Sequence, residues 1–337
     1  MSNFRGFSWA FSLVAALVAP AAFADGTITW EWDARQQTSG AIVVQDSGSL
    51  LTTPAVGSIT LDEPRAFVSA IGPLTTSLEF QVDGHIDTPT RSVGVGAEIV
   101  AKETPWDERS PPRIPSRRVA RANVRAELRD IVDVFSVTGM LGALGETNFV
   151  SGALRPSKFD GTLFAPAIVP GAGFSFSEIK LEFGVYEILD DDTLDEKFAK
   201  SFIKTITSEA GGDFIQFNSF LDQNLGDPLG SSRIPLKNGS SNLIVVTMQA
   251  MVELTGTPFP ASDPSRLVAN SSFNNTFSFG GLFDFKDANG NALNDVTFTS
   301  HSGMDWLSPL SVPLPGSLAM LIGSLPLLAA ATRRRRH

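Results

Sequence analysis

The chain has 337 residues, with 26 Lys and Arg against 36 Asp and Glu, a formal net charge of −10, and no cysteine. The missing cysteines exclude disulfides, thiolate chemistry and cysteine-ligated zinc, so an ordered body has to rest on a hydrophobic core. The acidic balance argues against nucleic acid, whose phosphates require a basic footprint.

The N-terminus reads as an export signal. Residues 1–24 hold one charge, Arg5, then an apolar stretch from Phe11 to Val18 and the small-x-small sequence Ala22-Phe23-Ala24 before Asp25. A secretory signal peptide has this order, which predicts cleavage after Ala24 by signal peptidase. The apolar stretch is short for a stable transmembrane anchor.

Beyond Asp25 the apolar residues alternate. Leu78, Phe80 and Val82, then Val93, Val95, Ala97, Ile99 and Ala101, then Val124, Ala126, Leu128, Val132 and Val134 all repeat with a period of two. The same habit returns in Ile179, Leu181, Phe183 and Val185, in Val246 to Leu254, in Phe277, Phe279, Phe283 and Phe285, and in Val296 with Phe298. A two-residue period buries one side of a strand, and Gly or Pro punctuates nearly every gap. Many short strands without intervening helices predict an all-β body at 25–311, an antiparallel β-sandwich or jelly-roll-like fold. The 25 phenylalanines against one tyrosine, Tyr186, suggest sheet interiors filled by rings without a polar handle. Trp30, Trp32, Trp106 and Trp306 are read as core or rim packing, with sugar stacking as the alternative.

Two segments break the alternation. Residues 104–118 hold Pro105, Pro111, Pro112 and Pro115 with Arg109, Arg113, Arg117 and Arg118. As a linker this stretch would divide Asp25–Glu103 from Val119–Ser311; as a loop it would leave both halves in one sandwich. Leu194, Phe198, Phe202 and Ile206 recur every four residues after Asp192 and Thr193, which predicts a short amphipathic helix capped at its start.

The chain ends on three consecutive features. Val312-Pro313-Leu314-Pro315 should be extended and poor in hydrogen bonds, because Pro313 and Pro315 lack N–H groups and bias the residues before them away from helix. A transmembrane helix is predicted at 317–331, capped by Ser317 and apolar all round; at 1.5 Å per residue it reaches roughly 22 Å against a hydrocarbon layer of roughly 30 Å. Arg333, Arg334, Arg335 and Arg336 then form the cytoplasmic anchor, since cationic flanks resist translocation.

This tripartite tail, 312–337, resembles the sorting tail of the PEP-CTERM proteins, in the variant called VPLPA-CTERM. Gly316 stands where that variant commonly has alanine, and Pro326 interrupts the membrane helix. The resemblance implies recognition at the inner membrane of a Gram-negative bacterium by an exosortase-type membrane enzyme. It further implies removal of the tail and release or transfer of the body to the cell surface and its exopolysaccharide. The strand, turn, strand order from Asn275 to Trp306 is loosely similar to the last strands of bodies in that family. The alternative for the tail is an ordinary anchor that stays in the membrane.

Sites for chemistry are sparse. Asp83, His85 and Asp87 would share one side of a strand, as a metal site wants, although a polar turn after Val82 explains them as well. Asp287, Asn289, Asn291 and Asp295 suggest an oxygen-rich calcium loop, but the EF-hand spacing is absent and Asn289-Gly290 suits a hairpin turn. Asp190, Asp191 and Asp192 read as a solvated turn. No G-x-S-x-G elbow, P-loop or H-E-x-x-H is present. Between the two sorting segments the body has 21 basic residues (26 less Arg5 and the four tail arginines) against 36 acidic ones, a net charge of −15. The expectation is an exported, noncatalytic cell-surface or extracellular-matrix protein with no cofactor and no metal. A carbohydrate-binding or calcium-binding module is the alternative, and a secreted hydrolase ranks below it.

Overall fold

The computed structural model describes residues 24–36, 42–52, 58–69, 76–88, 91–103, 118–141, 148–155, 157–166, 173–208, 213–218, 232–256 and 266–309. In chain order these form β1 (Ala24–Gln36), β2 (Ile42–Thr52), β3 (Ser58–Ser69), β4 (Thr76–Asp87), β5 (Ser92–Glu103), β6 (Arg118–Phe135), α1 (Val137–Leu141), β7 (Phe149–Leu154) and β8 (Lys158–Ala165). There follow β9 (Gly173–Ile188), β10 (Leu194–Ser208), β11 (Asp213–Asn218), β12 (Arg233–Lys237), β13 (Ser240–Gly256), β14 (Arg266–Ser278), β15 (Leu282–Lys286) and β16 (Thr297–Ser300). The all-β expectation holds, and the strand pairs are antiparallel throughout.

Alternation decides which side of each strand is buried. In β6 every even position from Ala120 to Val134 faces inward, and the odd positions face outward. The neighbouring β13 matches it along nearly its whole length, placing Val246, Met248, Ala250 and Val252 beside Leu128, Ala126, Val124 and Ala122. On its other edge β13 sets the same residues beside Phe183, Leu181, Ile179 and Ser177. The first sheet has the order β10-β9-β13-β6-β1-β2, with β16 also on β6; the second has the order β11-β8-β14-β5-β4-β3; a small third sheet is β12-β7-β15.

The first two sheets face each other across one core. Trp32 of β1 stacks on Phe80 of β4 at 5.0 Å between ring centroids, and Phe202 of β10 meets Phe159 of β8 edge-on at 5.5 Å. Phe159 also stacks on Phe273 of β14 at 5.1 Å. Two serines stitch the sheets at one level: Ser177 Oγ donates to the Asn270 carbonyl, and Ser271 Oγ donates to the Glu178 carbonyl. Phenylalanine suits such an interior because a buried ring with no hydroxyl leaves no polar group to satisfy.

Strands from both sides of 104–117 enter both large sheets: β1 and β2 pair into the first with β6, and β3 to β5 join the second through β14. Residues 25–103 therefore do not form a separate unit.

The helix expected over Leu194–Ile206 is instead strand β10 at one edge of the first sheet, paired with β9. A four-residue repeat is also a multiple of two, so Phe198, Phe202 and Ile206 share one side of a strand as readily as one side of a helix. After a bulge at Glu196/Phe198 that inward side reads Phe198, Lys200, Phe202, Lys204, Ile206, while Ala199, Ser201, Ile203, Thr205 and Thr207 are exposed. Lysines on an edge strand discourage pairing with another chain.

Gly161 of β8 lies beneath the Phe273 ring, and a Cβ there would fall inside it. Gly161→Ala is expected to lower stability by roughly 1–3 kcal/mol through overpacking, seen as a lower denaturant midpoint with an unchanged slope. An unchanged midpoint would show that the Phe159–Phe273 stack yields without cost.

Candidate functional site

The alternation of β6 has one polar member on its inward side. Asp130 sits between Leu128 and Val132 and is 0% exposed. Its carboxylate accepts three hydrogen bonds from one short stretch of chain: Trp306 Nε1 at 2.5 Å and Ser300 Oγ at 2.7 Å on Oδ2, and the Ser302 amide at 3.1 Å on Oδ1. Burial pushes this carboxyl above the usual aspartate range, and the three donors only partly oppose the shift.

These bonds hold down a strap, residues 297–308. It begins as β16, pairing Thr297 to Ser300 with Phe135 to Val132 on the edge of β6 that β1 also uses. The two strands abut: Ala24 pairs with Asp130, and the His301 amide bonds to the Ile131 carbonyl. The strap then leaves the first sheet and enters the core, where Trp306 is buried and meets Phe279 edge-on at 4.8 Å. At the third sheet, the amide of Leu282 in β15 bonds to the Trp306 carbonyl at 2.7 Å. The approach to β16 is tied as well, because Asp295 accepts from Ser136 Oγ and the Thr138 amide at the start of α1.

Two arginines secure the far end. Arg91 Nη1 donates to the carbonyls of Asp305 (2.7 Å) and Ser308 (2.6 Å), and Arg155 Nη1 donates to those of Leu307 (2.5 Å) and Leu282 (3.2 Å). Arg91 is 6% exposed and has φ 52°, a left-handed conformation that a side chain of this kind adopts at a cost. Gly281 has φ 93°, and a Cβ there would lie 2.7 Å from the Ser308 carbonyl oxygen, so glycine is required where the strap crosses β15. Asp305 closes the strap's last turn by accepting from the Leu307 and Ser308 amides; the Ser308 hydroxyl, then the two amides and the Arg91 charge, hold its carboxyl below the usual range against desolvation.

The residues singled out from sequence fall elsewhere. Ala24 is the first residue of β1. Ala22, Trp106, Val312, Pro313, Leu314, Pro315, Arg333, Arg334, Arg335, Arg336 and the 317–331 segment lie outside the described residues. Among the described residues no helix is long and apolar enough to cross a membrane. Asp83, His85 and Asp87 do share the outward side of β4, which runs to Asp87 with no turn after Val82. Burial depresses His85, with Asp87 opposing, and Ser92 Oγ lies 3.5 Å from its Nε2. Among the described residues, no three His, Asp or Glu are grouped to hold a metal ion.

The Asp287 loop is a turn built on its own carboxylate: Oδ1 accepts from the Asn289 and Asn291 amides, and Oδ2 from Asn291 Nδ2. A calcium ion would have to displace these bonds. The turn closes a bridge between Lys286 and Ala292, but β15 then pairs with β7 and β16 with β6, so Phe285 and Val296 are not hairpin partners. Asp190 to Asp192 form the exposed turn between β9 and β10, with Asp191 accepting from Thr193. Trp32 and Trp306 are core residues, and Trp30 is partly buried against the core.

One serine, aspartate and histidine do converge. Asp133 accepts from Ser241 Oγ at 2.6 Å and pairs with His301 Nε2 at 2.8 Å. Against partial burial, these two partners hold its carboxyl below the usual range. In a triad the nucleophilic hydroxyl lies on the imidazole, whereas Ser241 donates to the carboxylate, so Asp133 ties β13 to the residue that follows β16.

The site was visible in the sequence only as an interruption: Val124, Ala126 and Leu128 lead to Asp130 where an apolar residue is due, and Val132 resumes the pattern. No protein-family model matches this chain, and no curated protein matches it.

Asp130→Ala leaves the Trp306, Ser300 and Ser302 donors without their acceptor, and is expected to cost roughly 3 kcal/mol or more with a change in tryptophan emission. Asp130 binds its proton more tightly folded than unfolded. Its stabilising contribution is therefore complete below the ordinary value of 3.8 and is lost as pH rises through its raised folded value. Asp133, Asp295 and Asp305 have the opposite sign and withdraw stability as pH falls below 3.8. Denaturant midpoints measured from neutral pH downward should therefore gain from Asp130 before the acid loss begins. Asp130→Asn should abolish the gain and keep the loss.

Proposed function

We propose that this chain is an exported, noncatalytic surface or matrix protein, a β-sandwich or jelly-roll-like body carried between a removable N-terminal signal and a C-terminal sorting tail. The observation that carries the reading is the docking of the C-terminal strap on the body just before the sorting strip. The strap is docked through Ser308, and three residues, 309–311, separate it from the Val312-Pro313-Leu314-Pro315 strip. A processing enzyme could cut at that strip without touching a core residue, because Trp306, the last large side chain in the core, lies upstream of it.

The other end supports the same division. β1 starts at Ala24, and the next positions along that edge of β6 belong to β16, so the cut expected between Ala24 and Asp25 falls where the strand begins. On this reading signal peptidase removes 1–24. An exosortase-type enzyme then acts at the tail while 317–331 lies in the inner membrane, with Arg333 to Arg336 on the cytoplasmic side. The acidic body reaches the cell surface or its exopolysaccharide. Its role there is noncatalytic: the converging Ser241, Asp133 and His301 are wired for support, and the sheets present flat outward sides of alternating charge, such as Glu127 with Arg125 and Arg129.

Intact mass of the protein recovered from the cell exterior tests this. The expected species starts at Asp25 and ends near Pro315. Exterior material that still carries Arg333 to Arg336 would make the tail a plain anchor, and a body confined to the cytosol would end the proposal.

A further inference from the structure

The strap uses only part of what its two arginines offer. A guanidinium has five N–H donors, and among the described residues Arg91 and Arg155 each place Nη1 on two protein carbonyls. Among the described residues no carboxylate comes within ion-pair distance of either. The acids nearby are engaged elsewhere: Asp284 by Arg233 and Lys286, and Asp305 by the Leu307 and Ser308 amides. Arg155 also lies over the ring of Phe283, 4.9 Å from its centroid, and Phe283 is 40% exposed. The end of the strap thus carries two guanidinium groups that no carboxylate ion-pairs among the described residues, with the Asp305 charge acting on Arg91 from farther off, and an exposed ring, on a body whose net charge is −15 (21 basic, 36 acidic).

The length of chain beyond this point limits what can meet it. From Ser308 to the start of the apolar segment at Ser317, the connection reaches roughly 30 Å at full extension, and Pro309, Pro313 and Pro315 keep it stiff. If 317–331 lies in lipid, the exit face is held beside the phospholipid headgroups at high effective concentration. A planar guanidinium suits phosphate oxygens, and a ring beside an arginine suits the boundary between headgroup and acyl chain. We infer that the exit face docks on the phospholipid bilayer while the tail is in place. Arg155 takes lipid phosphate, Arg91 behind it adds a second positive charge, and Phe283 enters the interfacial layer. The inference rests on the proposed membrane insertion of the tail. It adds that the body is held flat against the membrane with the Val312 to Pro315 strip at the headgroup level, where a membrane enzyme works.

Amide hydrogen exchange on the full-length chain tests this, comparing nanodiscs of phosphatidylethanolamine and phosphatidylglycerol with maltoside micelles, which contain no phosphate. Protection of 281–285 and 305–308 is expected to be about fivefold greater in nanodiscs, the effect of one basic residue at such a surface. Arg155→Gln and Phe283→Ser should each remove the difference while the tail stays inserted, as judged by protease protection of 317–331. Phe283 is exposed, so its variant keeps the fold even if Arg155→Gln loosens the strap. Equal exchange in both media with the tail inserted would overturn the docking and leave the tail reading intact. Failure of 317–331 to insert would overturn the tail reading itself. Inorganic phosphate added to the micelles should not reproduce the protection; if it does, the pair binds free phosphate and the membrane docking is wrong.

Discussion

A carboxylate buried inside a sheet interior is tolerable only when its lone pairs are filled, and Asp130 fills them from one segment of chain. Trp306, Ser300 and Ser302 all point at it, so the strap is positioned by a single acceptor group. Had an apolar residue stood at position 130, the strap could still pack Trp306 against Phe279, but nothing would specify its register. The polar group selects one arrangement among the several that hydrophobic burial alone would allow.

The consequence runs across the whole molecule because β6 is where several connections meet. It pairs with β13 along one edge and with β1 and then β16 along the other, and it faces β4 and β5 of the second sheet. The strap bridges from this strand to Arg91, Gly281 and Leu282 on the opposite side, so the N-terminal strand, the C-terminal strand and both sheets are joined at one place. The left-handed backbone at Arg91 fits this role, since a strained residue persists where its surroundings over-determine it.

Such a closure brings both ends of the described body onto β6. Among the described residues, the first paired on β6 is Ala24 and the last docked by the strap is Ser308. Beside the strap's last docked residues lie Arg155 and the exposed ring of Phe283. The groups that converge on the strap are aimed at backbone amides, carbonyls and one another.

The sequence by itself determined the strand class and much of the inward pattern, because a period of two along β4, β5, β6, β9 and β13 leaves little choice about which side is buried. The expectations for the two termini rest on local composition alone and call on no tertiary contact. The sequence misled over β10, where a spacing of four satisfies both helix and strand and only pairing with β9 chooses between them. What tertiary structure alone decided was everything that depends on partners distant in the chain. The interleaving of both halves in both sheets is of this kind, and so is the desertion of β15 by β16 in favour of β6. The meeting of Asp130 with Trp306 across 176 positions belongs there too. A polar residue in an apolar alternation announces that a partner must exist, but its identity depends on which segments pack together, and no local spacing encodes that.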